Sequence, residues 1–492
     1  MILAKILEDV QLANVLAADL AQLRVTGLEY DSRKVEPGFL FFAFPGARAD
    51  GRQFAQAALD RGAVGVVSEL PPPEGFRGPW IEARHGRQAL ALAARTFYGK
   101  PDERLLLTGV TGTNGKTTTA FLIDGILRAA GKTTALVGTI EYRLAGRTLP
   151  AVNTTPESLD LYRLLHALER AGGTHATMEV SSHALALGRV YGMTFHTAVF
   201  TNLTRDHLDF HGTMENYFAA KRLLFAPEGA PAPRWAIVNA DDPRGQDLNP
   251  AGETLRYGFG ENADLRGSGL EMDFGGLRFT VEHRGEKMRI ASPLMGKINA
   301  YNILAASGAA LSYGLDGKTI AAGIADCRQV PGRFERVDEG QPFLVVVDYA
   351  HTDDALRNVI AVARELHPQR VITVFGCGGD RDRTKRPLMG MAAGETSDFV
   401  VLTSDNPRSE DPIAIMNDAL VGLRRFDTPQ VVEPDREKAI RAALREASPG
   451  DLVILAGKGH EPYQVLGDRV IHFDDREVAR AILREFGYRK PG

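Results

Sequence analysis

Hydrophobic residues lie along the chain in short runs of strand length, separated by segments with helical spacing. Near the N-terminus, FLFFAF (39–44) and VGVV (64–67) predict strands on either side of the helix RQFAQAALDRGA (52–63). The run LLLTGV (105–110) predicts the first strand of a second domain. Alternating polar and apolar residues from 277 to 291 predict a hairpin that turns around Arg284–Gly285.

The last third of the chain repeats one pattern, in which buried-type strands alternate with amphipathic helices. The strands are FLVVVD (343–348), RVITVFG (370–376), DFVVLT (398–403) and DLVILAG (451–457). Such alternation is typical of a parallel, doubly wound sheet. In the helix after the first of these strands, Leu356, Val359, Ile360 and Ala363 mark the inward face. In the helix after LLLTGV, Ala120, Ile123, Leu127 and Ala130 recur at helical spacing on one face.

Breaks near residues 98–101 and 330–332 divide the chain into three predicted domains, 1–99, 100–330 and 331–492. The predicted fold class is α/β in all three. We expect an N-terminal α/β domain, a central P-loop ATPase-type α/β domain and a C-terminal Rossmann-like α/β domain.

Composition excludes several classes of protein. Of 492 residues, 44% are apolar and 24% charged, and the net charge of −4 without a basic run gives no footprint for nucleic acid. Charges interrupt the apolar N-terminal stretch, so no signal peptide is predicted, and no window is long enough for a membrane span. Cys327 and Cys377 have neither disulfide-framework nor zinc-ligand spacing. We therefore expect a cytoplasmic monomer with free thiols and no membrane insertion.

The segment LTGVTGTNGKTTTAFL (107–122) carries the strongest local signal for chemistry. A strand leads into a glycine-rich turn and a helix, which aims backbone N–H groups and the positive end of the helix dipole at phosphates. Lys116 can reach the outer phosphates, and the Thr117 hydroxyl suits Mg²⁺. Val110 stands where a strict P-loop has glycine, which points away from motors and GTPases. The alternative is an ordinary glycine-rich turn with a surface lysine. The candidate nucleotide-binding residues here are Gly112, Thr113, Asn114, Gly115, Lys116, Thr117 and Thr118.

This loop resembles the TGTNGKT loop of the Mur ligase superfamily, which folylpolyglutamate synthetases share. Further motifs of that family occur along the whole chain: YDSR (30–33), NTTP (153–156), MEVSSHAL (178–185), FTNLTRDHLDFHG (200–212), AAKRLLF (219–225), DYAHTDDAL (348–356), FGCGGDRDRTKRPLM (375–389), DNPR (405–408) and GKGHE (457–461). On these motifs the chain is identified as a member of the superfamily.

The resemblance implies an ATP-dependent, Mg²⁺-dependent ligase of peptidoglycan synthesis, and so a role in cell shape and division. It would add meso-2,6-diaminopimelate to the D-glutamate of UDP-N-acetylmuramoyl-L-Ala-D-Glu through an acyl phosphate. The same reaction with L-lysine or another diamino acid stays open, as does a folylpolyglutamate-type ligase, although DNPR, GKGHE and the extra N-terminal domain argue against the latter. From a different class, a P-loop switch or binding protein would hold nucleotide without ligating anything.

The full metal-ligand set and the full catalytic set come from the resemblance, although the loop alone already suggests phosphate contact for Lys116 and Mg²⁺ for Thr117. The resemblance implies Thr117, Glu179, His207 and a carbamylated Lys221 as metal ligands, and Lys116, Glu179, His207, Lys221 and His351 as the catalytic set. Without it, Glu179 is an acidic residue at the end of a strand, which also suits Mg²⁺. His207 would be a buried, hydrogen-bonded histidine, and Lys221 a solvated helix lysine.

The remaining site residues fall into groups by the ligand that the resemblance gives them. Asn302, Arg333 and Asp348 would contact the nucleotide; Tyr30, Ser32, Ala47, Arg48 and Ala49 the uridine diphosphate; Asn153, Thr154, Thr155, Ser181 and Arg189 the muramoyl peptide; and Arg381, Asp405, Asn406, Pro407, Arg408, Gly457 and Glu461 the incoming amino acid. Leu187 departs from the family, in which this position is commonly polar. The planar fork of Arg408 suits the second carboxylate of diaminopimelate. The alternatives are a loop aspartate at 348, a solvated Arg333, and an Asp-Asn-Pro turn with Arg408 in solvent.

Overall fold

The structure is a computed structural model that describes residues 1–46 and 49–490. The chain divides into two compact units: the first holds Met1–Ser268, Val281–Met288 and Tyr301–Gly323, and the second holds Gly269–Thr280, Arg289–Ala300 and Ile324–Gly492. No helix in the described ranges is long and apolar enough to cross a membrane.

The N-terminal region forms a four-stranded parallel sheet in the order β1-β2-β3-β4. Its elements are α1 Leu3–Ile6, α2 Ala18–Ala21, β1 Gly27–Glu29, β2 Phe39–Ala43, α3 Ala55–Asp60, β3 Gly65–Ser68, β4 Trp80–Glu82 and α4 Gly86–Phe97, with 3₁₀ helices at Ser32–Lys34, Gly51–Phe54 and Pro101–Glu103. The predicted strand, helix and strand between residues 39 and 67 are confirmed. Ala47 and Arg48 lie outside the described residues.

The central region is built on an eleven-stranded sheet in the order β15-β14-β13-β12-β11-β10-β5-β9-β6-β7-β8. Its elements are β5 Leu106–Thr111, α5 Lys116–Ala129, β6 Thr134–Val137, β7 Glu141–Leu144, β8 Arg147–Pro150, α6 Ser158–Arg170, β9 His175–Glu179, α7 Ser182–Ala186, β10 Thr197–Phe200, α8 Leu208–His211, α9 Met214–Arg222, β11 Trp235–Asn239, α10 Pro243–Gln246, β12 Glu253–Gly258, β13 Leu265–Asp273, β14 Gly276–His283, β15 Glu286–Ser292, α11 Lys297–Ser312 and α12 Gly317–Asp326.

The strand β5 lies at the middle of this sheet, between the parallel strands β9 and β10. Val110 pairs with Glu179, and Thr111 pairs with Phe200, so the carboxyl ends of the three strands meet at one edge. Ligands of open α/β sheets bind at such an edge.

Two local predictions for this region have different outcomes. The hairpin is confirmed, because β14 and β15 are neighbours joined by Arg284 and Gly285, whose φ values of 51° and 83° are those of a tight hairpin turn. The apolar face of α5 is confirmed for Ala120, Ile123 and Leu127, which are at most 1% exposed, whereas Ala130 lies just beyond the end of the helix. Burial is not confined to that face, since residues Thr117–Asp124 are all buried and Gly323 of α12 packs on the Ile126 backbone.

The second unit contains a six-stranded sheet in the order β16-β17-β21-β18-β19-β20, in which only the edge strand β16 is antiparallel. Its elements are β16 Glu335–Val337, β17 Leu344–Asp348, α13 Asp353–Glu365, β18 Val371–Cys377, α14 Lys385–Thr396, β19 Phe399–Ser404, α15 Pro412–Leu423, β20 Gln430–Val432, α16 Arg436–Glu446, β21 Leu452–Ala456, β22 Tyr463–Leu466, β23 Arg469–His472 and α17 Asp475–Glu485. The predicted parallel sheet and the inward face of α13 are confirmed.

A fully buried ion pair supports two strand ends of this sheet. Arg436 donates to both carboxylate oxygens of Asp475, at 2.8 and 2.6 Å, and both side chains are 0% exposed. The same guanidinium donates to the carbonyl oxygens of Ser404 and Ala456, the last residues of β19 and β21. It therefore fixes the points from which the DNPR and GKGHE segments leave the sheet.

We expect Asp475→Asn to lower the free energy of unfolding by about 3–5 kcal/mol, because it leaves the Arg436 charge buried without its counterion. Urea unfolding of the full chain measures this change. Glu485→Gln, which removes the partner of Arg441 on the surface, is the control and should leave the midpoint unchanged. If the Asp475→Asn chain were as stable as the wild type, the Arg436–Asp475 ion pair would not have the stabilising role given to it here.

Candidate active site

The glycine-rich loop lies between β5 and α5, where the sequence predicts it. Gly112 and Gly115 have φ values of 150° and 85°, which side chains with a Cβ rarely adopt. A Cβ on Gly112 would lie 1.9 Å from Thr201 Oγ1, and one on Gly115 would lie 2.3 Å from Asn302 Oδ1. Both glycines are thus required by close packing as well as by conformation.

The segment after β10 holds this loop in shape. The Thr113 and Asn114 amides donate to the carbonyl and side-chain oxygens of Asn202, each at 2.9 Å. Asn202 Nδ2 and Thr201 Oγ1 donate in return to the Asn114 carbonyl oxygen, at 3.1 and 2.6 Å. The sequence places these two residues in the FTNLTRDH motif but does not show that they brace the loop.

Two lysines bind the same carbonyl oxygen in this loop. Lys116 Nζ donates to the Gly112 and Thr113 carbonyl oxygens at 2.9 and 2.8 Å, and Lys221 Nζ donates to the Gly112 oxygen at 2.8 Å. Lys221 is 1% exposed, and its Nζ lies 4.4 Å from the centre of the Tyr217 ring, one helical turn earlier in α9. The reading of Lys221 as a solvated lysine is therefore wrong, because α9 turns this face inward.

Burial and the neighbouring Lys116 charge set the protonation of Lys221. Burial, the larger cause, and the Lys116 ammonium both disfavour a second positive charge, so the pKa of Lys221 is well below its usual range. A lysine with a depressed pKa is a neutral, nucleophilic amine for part of the time.

Glu179 ends β9 and lies buried beside the start of α5. Its carboxylate accepts hydrogen bonds from Thr117 Oγ1 at 2.9 Å and from the Thr139 amide at 2.8 Å. Thr139 Oγ1 adds a third, at 3.2 Å. A carboxylate and a hydroxyl in contact are the oxygen donors that Mg²⁺ prefers, so these residues fit the ion. Thr139 was not among the predicted site residues.

His207 lies near this group but is 43% exposed, so the reading of a buried histidine is wrong. Its φ of 53° lies in the left-handed region that residues with a Cβ seldom adopt. The imidazole lies 4.8 Å from the His183 ring and 6.0 Å from the Tyr217 ring. Partial burial is the largest cause that lowers its pKa, which favours the neutral form that can bind a metal. Within residues 1–46 and 49–490, no group of three or more His, Cys, Asp or Glu side chains is placed to hold a metal ion.

The five residues predicted for the muramoyl peptide surround the carboxyl end of β9. Thr155 Oγ1 donates to the Glu179 carbonyl oxygen at 2.8 Å and accepts from the Ser181 amide at 3.1 Å. Arg189 donates to the Thr155 carbonyl oxygen at 2.8 Å. Thr154 Oγ1 lies 3.0 Å from Thr139 Oγ1, the Asn153 carbonyl oxygen accepts from Tyr142, and Leu187 follows α7. The structure therefore brings this group together.

The predicted uridine group is described only in part. Tyr30 donates to Asp160 Oδ2 on α6 at 2.6 Å, and burial is the first cause that raises its pKa. Ser32 opens a 3₁₀ helix, and the carbonyl oxygen of the exposed Ala49 accepts from the Gly46 amide. The predictions for Ala47 and Arg48 lie outside the described residues.

Four predicted nucleotide-binding and catalytic residues remain: Asn302 belongs to the first unit, and Arg333, Asp348 and His351 belong to the second. Asn302 of α11 packs on Gly115 in the first unit and accepts from Thr119 Oγ1 at 3.3 Å. Asp348 ends β17 in the second unit, where its carboxylate accepts from the Phe334 and Ala350 amides at 2.7 and 2.9 Å, and burial raises its pKa.

Arg333 and His351 flank one aromatic ring of the second unit. The Arg333 guanidinium lies 5.3 Å, and the His351 ring 4.7 Å, from the centre of Tyr349. Arg333 is half-buried and not freely solvated. Tyr349 was not among the predicted site residues.

The predicted amino-acid residues meet at the carboxyl ends of β18, β19 and β21. Asn406 Nδ2 donates to Glu461 Oε2 at 3.0 Å, and a Cβ on Gly457 would lie 2.8 Å from Asp405 Oδ2. The half-buried Arg408 donates to the Gly379 carbonyl oxygen at 2.6 Å, so it is not simply in solvent. The Pro407 carbonyl lies against Gly379, and Arg408 and the exposed Arg381 both border Gly378.

Lys458 adds an unpredicted charge to this cluster. Its Nζ is fully buried, lies 3.5 Å from Glu461 Oε2 and 3.9 Å from Asp405 Oδ1, and has no hydrogen-bond partner among the residues described. The cluster therefore combines two carboxylates with three cationic side chains. GKGHE is visible as a motif, but nothing in its spacing shows that this lysine is buried.

Three segments match Mur ligase domain families: residues 24–98 match "Mur ligase family, catalytic domain", residues 110–310 "Mur ligase middle domain", and residues 332–459 "Mur ligase, glutamate ligase domain". The chain belongs to the Mur ligase family of ATP-dependent ligases, and it has that family's fold of three α/β domains.

Comparison with individual proteins shows which members of the family the chain resembles. The chain is 67% identical, over 99% of both chains, to UDP-N-acetylmuramoyl-L-alanyl-D-glutamate--2,6-diaminopimelate ligase of Solibacter usitatus. A solved structure of a ligase with that same name is 34% identical, covers 99% of this chain and 100% of its own, and superimposes with a TM-score of 0.71. The MurF ligase of Thermotoga maritima in complex with ADP shares the fold, at 19% identity, 94% and 97% coverage and a TM-score of 0.62.

We expect Gly112→Ala to weaken binding of a non-hydrolysable ATP analogue about tenfold or more, because the new Cβ needs a disfavoured φ and meets Thr201. Titration calorimetry measures the affinity. Gly131→Ala is the matched control, since Gly131 also has a positive φ of 73° but has open space around it, and its affinity should be unchanged. Wild-type affinity in Gly112→Ala would show that this loop does not carry the nucleotide.

Proposed function

We propose that this protein adds meso-2,6-diaminopimelate to the D-glutamate of UDP-N-acetylmuramoyl-L-Ala-D-Glu, with ATP cleaved to ADP and phosphate, as a step of peptidoglycan synthesis. The observation that carries the proposal is the cluster of Arg381, Arg408, Asp405 and Glu461 at the strand ends of the second unit. A diamino dicarboxylic acid presents two carboxylates and two amino groups, and this cluster offers partners for both kinds. The name of the 67% identical relative agrees with it.

Phosphoryl transfer is supported by the charges around the nucleotide loop. Gly112 through Thr118 would cradle the phosphates, with Lys116 on the outer ones. Thr117, Glu179, His207 and a carbamylated Lys221 would hold Mg²⁺, which neutralises phosphate charge when bound. Asn302, Arg333 and Asp348 are proposed as nucleotide contacts, and His351 is proposed as a member of the catalytic set with Lys116, Glu179, His207 and Lys221.

The acceptor would be held at the carboxyl end of β9. Asn153, Thr154, Thr155, Ser181 and Arg189 orient the muramoyl dipeptide so that its D-glutamate carboxylate attacks the terminal phosphate of ATP. The acyl phosphate that forms is then attacked by the amine of the amino acid. The tetrahedral intermediate collapses to amide and phosphate, and alignment and charge stabilisation do the work without a covalent enzyme intermediate.

Several wider features belong to the same proposal. The domains are taken as 1–99, which binds the uridine diphosphate through Tyr30, Ser32, Ala47, Arg48 and Ala49; 100–330, which binds ATP; and 331–492, which binds the amino acid through Arg381, Asp405, Asn406, Pro407, Arg408, Gly457 and Glu461. We take the protein to be a cytoplasmic monomer.

Coupled ADP release against a panel of amino acids tests the proposed reaction. Turnover should require the UDP-muramoyl dipeptide and an amino acid together, with diaminopimelate preferred. Folate-dependent ADP release would instead support a folylpolyglutamate-type ligase. ATP cleavage that is indifferent to both substrates would support a nucleotide-binding switch.

We expect Arg408→Ala to lower kcat/KM for diaminopimelate about 10- to 100-fold and to leave L-lysine nearly unaffected. A charge-assisted hydrogen bond from a half-buried arginine contributes about 1.5–3 kcal/mol, which sets this range. The exposed Arg424, replaced by alanine, is the control. If Arg408→Ala kept the full preference for diaminopimelate, the pairing of Arg408 with the distal carboxylate would be wrong.

We expect Lys221 to carry a carbamate that forms from its neutral amine and CO₂, because burial and Lys116 lower its pKa. In ¹³C NMR with labelled bicarbonate, the carbamate signal should be present in the wild type near neutral pH and lost as pH falls and the amine is protonated. Lys221→Ala should lack this signal, be nearly inactive, and recover partly with small carboxylic acids. A wild type without the signal in the presence of MgATP would refute the carbamate.

A further inference from the structure

The two arginine-bearing loops of the second unit share an unusual backbone feature. The loop after β18 carries Arg381, and the loop after β19 carries Arg408. Asp380 in the first loop and Arg408 in the second both have a φ of 53°, in the left-handed region that residues with a Cβ avoid. Such conformations persist only where surrounding contacts over-determine them.

Those contacts run directly from one loop to the other. Asp380 accepts from Ser409 Oγ at 2.6 Å and from the Ser409 amide at 3.2 Å. The Asp380 amide donates to Glu410 Oε1 at 2.6 Å, and the Gly379 amide donates to the Asn406 carbonyl oxygen at 2.9 Å. Each left-handed residue therefore lies beside a hydrogen bond that crosses between the loops.

Among the residues that join the two loops, Glu410 accepts hydrogen bonds from three different residues. Its Oε1 also accepts from Arg386 Nη2, and its Oε2 accepts from Arg383 Nη2, both at 2.8 Å. Arg386 is 2% exposed and is held from its other side by Asp418 at 2.9 Å. Arg386 is the first cause that lowers the pKa of Glu410, to about 2, so its carboxylate is charged at any physiological pH.

The position of these contacts bears on the two substrate-facing arginines. Glu410 accepts hydrogen bonds from Asp380 and Arg383 of the first loop, which lie on either side of Arg381 in the sequence. Arg408 stands immediately before Ser409, which Asp380 holds. Both oxygens of Glu410 are occupied by protein groups, so it acts through the arginines and not on the substrate itself.

We propose that Glu410 is a positioning residue that sets the spacing of Arg381 and Arg408, and thereby the selectivity of the site for an amino acid with a second carboxylate. This inference rests on the proposed function, because it takes the two arginines to be the carboxylate-binding groups. Two cations bind the two carboxylates of one amino acid together only at a fixed separation, and contacts between the two loops are what keep that separation.

The test compares diaminopimelate with L-lysine in Glu410→Gln, which keeps the size of the side chain and removes its charge. We expect KM for diaminopimelate to rise about tenfold with kcat little changed, and kcat/KM for lysine to change less than about twofold. KM values for ATP and the UDP-muramoyl dipeptide should stay at wild-type values. Glu410→Asp, which restores the charge with a shorter reach, should recover part of the preference.

Two further variants serve as a surface control and as a second probe of the contact between the loops. Glu395→Gln removes a surface partner of Arg357 in the same unit and should behave as the wild type. Ser409→Ala removes one cross-loop hydrogen bond at an exposed position, and should reduce the preference about threefold even if Glu410→Gln does not fold.

The outcomes separate this inference from the proposed function. If the wild type shows no preference for diaminopimelate, the proposed substrate is wrong. If the wild type shows it and Glu410→Gln and Ser409→Ala keep the full ratio, or lose activity equally with both amino acids, Glu410 does not set selectivity and the inference is overturned.

Discussion

The chemistry of the first unit depends on one carbonyl oxygen, that of Gly112, which accepts hydrogen bonds from two lysines. The arrangement buries the Lys221 amine and brings the Lys116 ammonium to the same carbonyl oxygen, and burial first, then the Lys116 charge, lower the pKa of Lys221. It requires a loop conformation that only glycine adopts easily, and Asn202 holds that conformation by bonds to the Thr113 and Asn114 amides. The shape of the loop, the protonation of Lys221 and the proposed phosphate site are thus linked.

The second unit holds carboxylates and cationic side chains close together, and each of these groups is kept in place by contacts within the protein. Arg436, buried with Asp475, fixes the ends of β19 and β21 from below. Asp405 and Glu461 then share the buried Lys458, while Arg381 and Arg408 belong to loops tied through Glu410. Carboxylates and arginines that already have protein partners stay in place, and in the proposed function their remaining lone pairs and donors bind the zwitterionic amino acid.

The sequence predicts the fold and the loop more completely than it predicts the environment of single side chains. Runs such as FLVVVD and DLVILAG identify the parallel strands because a strand buried on both faces must be apolar throughout. The same reasoning identified the buried Ala120, Ile123 and Leu127 of α5, but no local pattern reveals that the whole segment Thr117–Asp124 is buried or that Gly323 of a distant helix packs on Ile126. The alternatives drawn for Lys221 and His207 without the resemblance, a solvated lysine and a buried histidine, are wrong for a similar reason, because exposure depends on how α9 and the segment after β10 are oriented. Asn202 and Glu410 act through partners far apart in sequence, and Lys458 lies beside the distant Asp405 as well as Glu461 three residues later, so spacing alone does not show their roles.

Transfer of ¹⁸O from substrate to phosphate tests the central claim that ATP activates a carboxylate as an acyl phosphate. The UDP-muramoyl dipeptide is labelled with ¹⁸O in both oxygens of its D-glutamate side-chain carboxylate and allowed to react with ATP and diaminopimelate. One labelled oxygen attacks the terminal phosphorus of ATP and leaves with it when the amide forms. Mass spectrometry should therefore find one ¹⁸O in the inorganic phosphate of each turnover, with the other retained in the amide. Unlabelled phosphate in the presence of amide product would contradict this account.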